Sequence, residues 1–383
     1  LSEAEVLFGS PRQLELVPDN TADRIAWPSP LLPRLDALLA EHTGRRICVL
    51  ASGDPLLSGI GTTLVRRFGV EAVRILPAIS SVSLARARLG WSFEETEVIS
   101  SVGRSVHRVA RVLAPRRRVL VLSSDERAPA EIAALLATQG YGSSTLIVLE
   151  NLGGTTESRS EGVAREWTHP PGAALNVVAL ECAADPDVPL LPLLAGLPDD
   201  AFEHDGQLTK RDLRASALAR LAPMPGQLLW DVGAGAGSIA IEWSRAHPLN
   251  RAIAFERDGE RADRITRNAA RLGVPELGVV TGSAPDVLAG NDNPDAVFVG
   301  GGVSVPGVLD ACLAALVRGG RLVAHGVTLE SERALACAYA EHGGELTRIA
   351  VEHTAPLGGF TGWQPARTVT QWSLVTSDGG KPA

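Results

Sequence analysis

A short apolar run that ends in an aspartate and continues into three alternate glycines constrains the fold more than any other feature of the chain. It spans residues 228–238 and reads LLWDVGAGAGS. A helical pattern follows at once, and a second apolar run ends at Glu256, 25 residues after Asp231. Glycines let backbone N–H groups approach a ligand closely, and an acidic residue after the next strand can bind the two hydroxyls of a ribose. The pattern predicts a nucleoside-binding βαβ unit.

The spacing of these glycines separates two classes of nucleoside-binding protein. Dinucleotide-binding enzymes carry G-x-G-x-x-G, in which the third glycine packs the helix on the strand. Residues 231–237 instead read D-x-G-x-G-x-G, which resembles motif I of the class I methyltransferases that use S-adenosyl-L-methionine (SAM). A glycine-rich turn without a ligand is the alternative. The presence of both acidic residues, Asp231 and Glu256, argues against that alternative.

The C-terminal half, residues 205–376, alternates between strand and helix patterns after a helix expected at 209–221. Five strands are expected near 227–231, 251–255, 277–281, 295–299 and 320–325, with helices near 238–247, 259–272, 304–318 and 330–342. Two last strands, near 345–352 and 368–375, flank a Gly/Pro loop at 353–367. This order predicts the α/β, Rossmann-like fold of class I methyltransferases, with a seven-stranded sheet and ligands at the carboxyl ends of the strands.

The N-terminal half, residues 1–182, alternates in a different order. Strands are expected near 47–50, 73–76, 96–100, 119–122, 144–149 and 174–180, and helices near 57–68, 80–89, 105–113 and 128–139. Between the halves, residues 183–204 are rich in proline, which excludes a regular helix and predicts a linker. The last residues, 377–383, are expected to be a disordered tail.

Two segments of the N-terminal half resemble motifs of the class III, or tetrapyrrole, methylases. Residues 51–59 read ASGDPLLSG and resemble the GDP loop of that family; residues 76–81 read LPAISS and resemble its P-A-[IV]-S-S segment. The resemblance assigns four residues to cofactor binding: Gly53, Asp54, Ala78 and Ser80. A plain turn at Asp54 and a plain helix cap at Ser80 are the alternatives.

One departure from the tetrapyrrole methylases concerns the start of the chain. That family opens with a strand and a glycine-rich loop ahead of the helix that would contain residues 4–8. The present sequence begins after that point, so we expect either a truncated record or a catalytically impaired half. An unpaired neighbouring strand is also expected.

The two halves together, over residues 1–376, resemble the family of precorrin-6Y C(5,15)-methyltransferases (decarboxylating) of cobalamin biosynthesis. That family fuses a tetrapyrrole methylase to a class I methyltransferase. In the second half, the segments that carry this resemblance most specifically are residues 207–214, 281–285 and 295–302. The resemblance implies that the C-terminal half methylates carbon 15 and removes carbon dioxide from the ring C acetate, while the N-terminal half methylates carbon 5, converting precorrin-6B to precorrin-8X.

The same resemblance implies roles for individual residues of the C-terminal half. For SAM they are Gly233, Gly235, Gly237 and Asp231 in motif I, Glu256 at the ribose, Gly282, Ser283 and Ala284 at the adenine, and Gln207, Thr209 and Lys210 over the site. For the macrocycle they are Gly300, Gly301, Gly302 and Arg367, with Trp363 beside Arg367. An oligomer contact is an equal alternative for Arg367 and Trp363. His325 is a candidate proton donor for decarboxylation, and a structural loop histidine is its alternative.

Composition and charge limit the kinds of molecule that the protein is expected to bind. The net charge of −8 argues against nucleic acid, and no apolar run approaches the roughly 18 residues of a membrane span. Four widely spaced cysteines and no signal peptide suggest the cytoplasm without a metal site. Class I partners of this type tend to be tetrameric and class III domains dimeric, so a homo-oligomer is expected. The rival functions are methylation of RNA or another small molecule, with the N-terminal half acting only as a scaffold.

Overall fold

The computed structural model describes residues 1–376, and the predicted tail at 377–383 lies outside the described residues. Two α/β halves follow one another along the chain. The elements of the first half are β1 (Val6–Gly9), α1 (Pro11–Glu15), β2 (Asp23–Ala26), α2 (Leu35–Ala40), β3 (Ile47–Val49), α3 (Ile60–Phe68), α4 (Ser81–Leu89), β4 (Thr96–Ser100), β5 (Arg118–Leu122), α5 (Ala128–Thr138), β6 (Thr145–Glu150), β7 (Ser158–Val163) and β8 (Asn176–Glu181).

The first half contains two separate sheets. Strands β2, β1 and β3 form a parallel three-stranded sheet in that order, and β3 pairs only with β1 among the described residues. The second sheet has five strands in the order β4-β5-β8-β6-β7, of which only β4 and β5 pair in parallel. Helix α5 covers one face of this sheet through Ile132 and Leu136, and α4 covers the other face through Val82 and Ala85.

Three expectations for the first half are wrong. Residues 4–8 do not belong to a helix, because Val6, Leu7 and Phe8 form the central strand β1 and are fully buried. A central strand buried on both faces reads as a continuous apolar run, which a helical pattern can imitate. Residues 73–76 form no strand, since no neighbouring strand pairs with them, and Val106–Val112 is a 3₁₀ helix where a longer helix was expected.

The second half contains the seven-stranded sheet that was predicted. Its elements are α6 (Arg211–Leu221), β9 (Leu228–Val232), α7 (Ser238–Ala246), β10 (Arg251–Glu256), α8 (Gly259–Arg271), β11 (Gly278–Thr281), β12 (Ala296–Val299), α9 (Val308–Ala315), β13 (Arg321–Gly326), α10 (Leu329–His342), β14 (Glu345–Ile349), β15 (Glu352–Leu357), β16 (Phe360–Pro365) and β17 (Val369–Val375). The strand order is β11-β10-β9-β12-β13-β17-β14, and β17 is antiparallel to both of its neighbours.

Helices cover both faces of this sheet. Leu229 packs with residues of α6, α7 and α8, while its neighbour Trp230 packs on the opposite face with residues of α9 and α10. Successive residues of a strand point to opposite faces, so a strand buried on both sides must be apolar throughout. This explains the continuous apolar run that precedes the glycines.

The segment at 353–367 is not the irregular loop that was expected. It contributes most of an antiparallel hairpin, β15 and β16, in which Leu357 pairs with Phe360. Gly358 and Gly359 form the two-residue turn, and Gly358 has a φ of 59°. Two glycines between paired strands are a strong hairpin signal because such turns require positive φ angles. The hairpin is a separate two-stranded sheet beside the seven-stranded one.

The predicted linker packs against the second half. Leu197 is fully buried, and the backbone N–H groups of Gly196 and Leu197 donate to the carboxylate of Glu242 on α7 at 2.6 and 3.0 Å. Arg214 on α6 donates to the same carboxylate at 2.5 Å and also to the carbonyl oxygens of Leu197 and Thr209. The bounds of the linker, 183–204, stay a prediction.

The two halves meet at a pair of buried arginines. The Nε of Arg111, in the first half, donates to the carbonyl oxygen of Arg245 on α7 at 2.9 Å. Gly273 lies against Arg111, where a Cβ atom would be 2.1 Å from its backbone nitrogen. Gln139 donates to the carbonyl oxygen of Arg271 at 3.0 Å. None of the helices in residues 1–376 is long and apolar enough to cross a membrane.

Replacing Glu242 by alanine is expected to destabilise the second half by about 3–5 kcal/mol, because it removes the buried carboxylate that binds the fully buried Arg214 and leaves only the partly exposed Asp199, at 3.2 Å, to balance that charge. Chemical denaturation followed by tryptophan fluorescence measures this change. The matched control is Asp292→Ala, which breaks the exposed pair between Arg251 and Asp292 at 3.1 Å and should cost less than about 1 kcal/mol. Equal costs for the two variants would contradict the central role of Glu242.

Candidate active site

A large cavity of about 1210 Å³ opens at the carboxyl ends of β9, β10, β12 and β13. This is the edge of the sheet where ligands bind in open α/β folds. Its volume exceeds the roughly 300–1,000 Å³ of an ordinary small-molecule pocket, so it has room for more than one ligand. Its walls are formed by residues 206–213, 232–235, 255–257, 282–284 and 300–302, together with His325, Val327, Val351, His353 and residues 366–367.

Two glycines of motif I bring three predicted segments together. Gly233 and Gly235 both have positive φ angles, 71° and 59°, and both line the cavity. A Cβ atom at Gly233 would lie 2.7 Å from the backbone nitrogen of Gly301, and one at Gly235 would lie 2.7 Å from the carbonyl oxygen of Gln207. The main chains therefore touch at these points, and only glycine leaves space for that contact.

Asp231 and Gly237 are not among the residues that line the cavity, and their expected contact with the cofactor stays a prediction. Gly237 precedes α7, and a Cβ atom there would lie 2.7 Å from Ile265 on α8. Asp231 is fully buried and accepts a hydrogen bond from the N–H group of Ala240 at 3.0 Å. Burial raises the pKa of Asp231 to about 7. Both residues hold the start of α7 in place and so shape the glycine loop indirectly.

Glu256 lies at the end of β10, buried, and lines the cavity. One carboxylate oxygen accepts from the N–H group of Gly235 at 2.8 Å, and the other accepts from that of Asp258 at 3.1 Å. A carboxylate has about four acceptor positions, so Glu256 retains the capacity to accept from a ligand's hydroxyls. Gly282, Ser283 and Ala284 line the cavity wall after β11.

The segment before α6 covers the cavity. Gln207, Thr209 and Lys210 all line it, and the role over the cofactor that the family resemblance implies for them stays a prediction. Asp205 anchors this segment to α8 through Arg261 at 2.8 Å and Arg264 at 3.2 Å. The hydrogen bond from Arg261 holds the pKa of Asp205 well below its usual range, so the anchor stays ionised. The cover is therefore tied to the helix that follows Glu256.

The other end of the cavity is formed by residues from β12, β13 and the last strands. Gly300, Gly301, Gly302 and Arg367 line it, whereas Trp363 lies on β16, exposed and away from the cavity. His325, at the end of β13, is buried and makes a T-shaped contact with the ring of Phe298. Its Nε2 lies 2.9 Å from the side chain of Gln371. Burial lowers the pKa of His325, which keeps the ring uncharged at neutral pH.

Several cavity residues were not predicted. They are Arg211, Arg257, Arg261 and His353 on the wall, and Gln371 behind His325. Arg257 directly follows Glu256, so its place on the cavity wall could have been predicted from the motif. Gln371 carries no such signal, because its contact depends on the pairing of β13 with β17 across the sheet.

The two motifs of the N-terminal half also meet, at a distance from this cavity. A Cβ atom at Gly53 would lie 3.3 Å from the Cα atom of Ser80. Asp54 accepts from the N–H group of Leu56 at 2.8 Å, and Ser80 caps α4 by accepting from that of Ser83 at 3.0 Å. Ala78 is exposed. Asp54 and Ser80 thus form the plain turn and cap that were the alternatives, while the juxtaposition of the two loops agrees with a shared site.

Both halves of the chain match families of known proteins. A family model described as tetrapyrrole (corrin/porphyrin) methylases matches residues 1–167, and one described as precorrin methyltransferase domain matches residues 200–376. The precorrin-6Y C(5,15)-methyltransferase (decarboxylating) of Sinorhizobium sp is 48% identical over 97% of this chain and 90% of its own length. The protein of the same name from Mycobacterium tuberculosis (strain ATCC 25618 / H37Rv) is 48% identical over 98% of this chain and 94% of its own.

A solved structure covers the second half alone. The C-terminal domain of the precorrin-6Y C5,15-methyltransferase from Rhodobacter capsulatus is 43% identical, with 48% of this chain and 100% of that chain covered and a TM-score of 0.46.

Replacing Asp231 by asparagine tests the effect of its raised pKa. The folded protein binds this proton more tightly than the unfolded chain, so the wild type loses stability relative to Asp231→Asn as the pH rises from about 4 to about 7. The relative loss should be on the order of 3–4 kcal/mol. Denaturation at several pH values measures it, with Asp292→Asn, an exposed carboxylate, as the control for net charge. A difference between wild type and Asp231→Asn that is independent of pH would contradict the raised pKa.

Proposed function

Because the chain belongs to the family of precorrin-6Y C(5,15)-methyltransferases (decarboxylating), we propose that it transfers two methyl groups from SAM to a precorrin and releases one carboxyl group of that precorrin as carbon dioxide. The observation that carries this proposal is the meeting of motif I, Glu256 and Gly300–Gly302 at one cavity. We place methylation of carbon 15 and decarboxylation of the ring C acetate in the second half, and methylation of carbon 5 in the first.

The residues on one side of the cavity fit SAM. The positive φ angles of Gly233 and Gly235 open the loop to a ligand, and their lack of side chains leaves the backbone accessible. Glu256 would accept hydrogen bonds from the ribose hydroxyls, and Gly282, Ser283 and Ala284 would flank the adenine. When bound, SAM supplies an electrophilic methyl group. The protein's contribution is then to align that group with the substrate carbon, which can lower the barrier by about 7–11 kcal/mol.

The residues on the other side fit a large ligand that carries carboxylates. Gly300, Gly301 and Gly302 offer no side chains, so a flat macrocycle can lie close to the main chain. Arg211, Arg257 and Arg367 line the cavity, and within residues 1–376 their guanidinium groups make no hydrogen bond or ion pair with another residue. Guanidinium groups bind carboxylates through two parallel hydrogen bonds. We assign these arginines to the acetate and propionate groups of the precorrin, and His325 to assisting decarboxylation.

The decisive experiment is a mass spectrum of precorrin-6B after incubation with this chain and excess SAM. Gain of two methyl groups with loss of one carbon dioxide is the expected result. One methyl group with the same loss would restrict catalysis to the second half. An unchanged mass, with SAM still bound, would overturn the assignment of a tetrapyrrole substrate.

The variant Gly235→Ala tests the SAM site of the second half. A Cβ atom there meets the carbonyl oxygen of Gln207, so we expect SAM binding to this half to weaken at least about tenfold, or about 1.4 kcal/mol. The carbon dioxide loss should fall with it. The control is Gly290→Ala, which has a comparable positive φ of 81° but open space around the new Cβ atom. Similar losses in both variants would trace the effect to backbone strain alone.

Calorimetric titration with SAM separates the bifunctional enzyme from the scaffold alternative. Two sites per chain are expected if Gly53 and Ser80 border a second cofactor site. One site would leave the N-terminal half as a scaffold, in agreement with the local roles of Asp54 and Ser80.

We also propose a homo-oligomer that works in the cytoplasm, where the four free cysteines would stay reduced. The hairpin formed by β15 and β16 is the self-association surface. Its side chains Leu357, Phe360 and Trp363 are 68%, 82% and 71% exposed in the single chain, and its two strands pair only with each other among the described residues. Large apolar side chains concentrated on one projecting element favour a protein interface.

The variant Phe360→Asp is expected to shift the protein from an oligomer to a smaller species, since it places a charge in the apolar contact. Size-exclusion chromatography with light scattering measures the mass. Leu194→Asp is the matched control, because Leu194 is 79% exposed but lies outside the hairpin. A monomeric wild type, or an unchanged mass for Phe360→Asp, would contradict this surface.

A further inference from the structure

His325 and Gln371 form a buried cross-strand pair at the substrate end of the cavity. They are direct register partners on β13 and β17, and Gln371 is fully buried. The Nε2 atom of His325 lies 2.9 Å from the Gln371 side chain, and the ring makes a T-shaped contact with Phe298 on β12. Nε2 is occupied by the contact with Gln371, whereas Nδ1 has no hydrogen-bond partner within residues 1–376. His325 also lines the cavity.

The far side of the Gln371 amide decides which of its atoms faces His325. Arg220 on α6 places its Nε and Nη1 atoms 3.0 and 3.3 Å from that far side. A guanidinium can only donate hydrogen bonds, so the amide atom facing Arg220 must be the oxygen. The amide nitrogen then faces Nε2 at 2.9 Å and donates to it. An Nε2 atom that accepts a hydrogen bond carries no proton, and the ring proton of the neutral histidine must therefore be on Nδ1.

The charges around this pair favour the neutral ring. Arg220 is the cation that faces it from α6, and Glu345 on β14 binds Arg220 at 3.1 Å. On α10, Glu332 is engaged by Arg348 at 2.9 Å, and β12 contributes the apolar Phe298. Burial and the positive charge of Arg220 lower the pKa of His325. A hydrogen bond donated by the Gln371 amide to Nε2 also favours the neutral ring, because the charged ring carries a proton at that atom. A chain of contacts thus runs from Glu345 at the surface to the cavity wall.

We propose that Gln371 is a positioning residue that fixes His325 as the neutral Nδ1–H tautomer and so presents a hydrogen-bond donor to a carboxylate of the substrate. The assignment of the carboxylate rests on the proposed function, whereas the tautomer does not. A neutral imidazole is a poor acid, so His325 contributes a hydrogen bond at this end of the cavity and is not the proton donor that the sequence suggested. Carboxylate oxygens only accept, which makes the Nδ1–H group their complement.

The tautomer is tested by ¹⁵N NMR of the full chain with labelled histidine, with His325→Asn used to identify the signals. At neutral pH, the wild type should show a protonated Nδ1 and an unprotonated Nε2 for His325. In Gln371→Glu, a carboxylate faces Nε2 and stabilises the charged ring, so the titration of His325 should move up by about 1–3 pH units. An Nε2–H tautomer in the wild type, or a titration that Gln371→Glu leaves in place, would overturn the proposal.

The matched control is Thr370→Val. Thr370 is the buried neighbour of Gln371 on β17, and its hydroxyl contacts Glu332. The substitution therefore perturbs the same strand but leaves the Gln371 amide in place. Its His325 signals should match those of the wild type. A titration shifted equally in Thr370→Val would mean that any disturbance of β17 moves His325, and the proposal would fail.

The link to the reaction is tested with Gln371→Leu, which removes the amide and frees the ring to adopt either tautomer. We expect kcat/KM for carbon dioxide loss to fall about tenfold, the value of one hydrogen bond, while SAM affinity is unchanged. If the tautomer is confirmed but no precorrin is consumed by the wild type, the proposed function fails and the positioning role stands. If precorrin is decarboxylated equally by the wild type and Gln371→Leu, the positioning role fails alone.

Discussion

The buried contact between Arg214 and Glu242 is the interaction on which the cavity depends. Arg214 joins the carbonyl oxygens of Leu197 and Thr209 to the carboxylate of Glu242, which also binds the linker backbone. One guanidinium therefore connects the linker, α6 and α7. Because residues 207–210 cover the cavity, their position over the glycine loop follows from this contact. The two side chains must lie close enough to pair, because a buried charge without a partner destabilises the folded state.

Close approaches of the main chain complete the site. Gly233 touches Gly301, and Gly235 touches Gln207, so the loops after β9 and β12 and the cover are in direct backbone contact. A side chain at either glycine would push these segments apart. Residues 300–302 present no side chains to the cavity, which suits the flat substrate that we propose.

Local pattern predicted most of the second half, because each βα unit buries an apolar strand and caps it with a recognisable loop. The seven-stranded sheet and the glycine loop with Glu256 were read from such signals, whereas the roles of Ser283 and Arg367 came only from the family resemblance and stay predictions. What failed depended on partners far along the chain. The strand Val6–Gly9 forms by pairing with β2 and β3 on either side. The contact of Gln371 with His325 forms because β17 pairs with β13. Asp231 shows the same limit, since its burial is set by helices that the motif does not contain.

Basic side chains slightly outnumber carboxylates at the cavity, where Asp199, Asp200, Asp212 and Glu256 lie beside Lys210, Arg211, Arg257, Arg261 and Arg367, whereas acidic residues outnumber basic ones in the whole chain. The chain carries 44 acidic and 36 basic residues, and many of its arginines are paired with carboxylates, as in Arg261 with Asp205 and Arg220 with Glu345. Arg211, Arg257 and Arg367 are different, because they line the cavity without such partners among residues 1–376. A cleft with low-dielectric walls concentrates the field of such groups. We propose that these three guanidinium groups attract a polycarboxylate substrate to the cavity of an otherwise acidic protein.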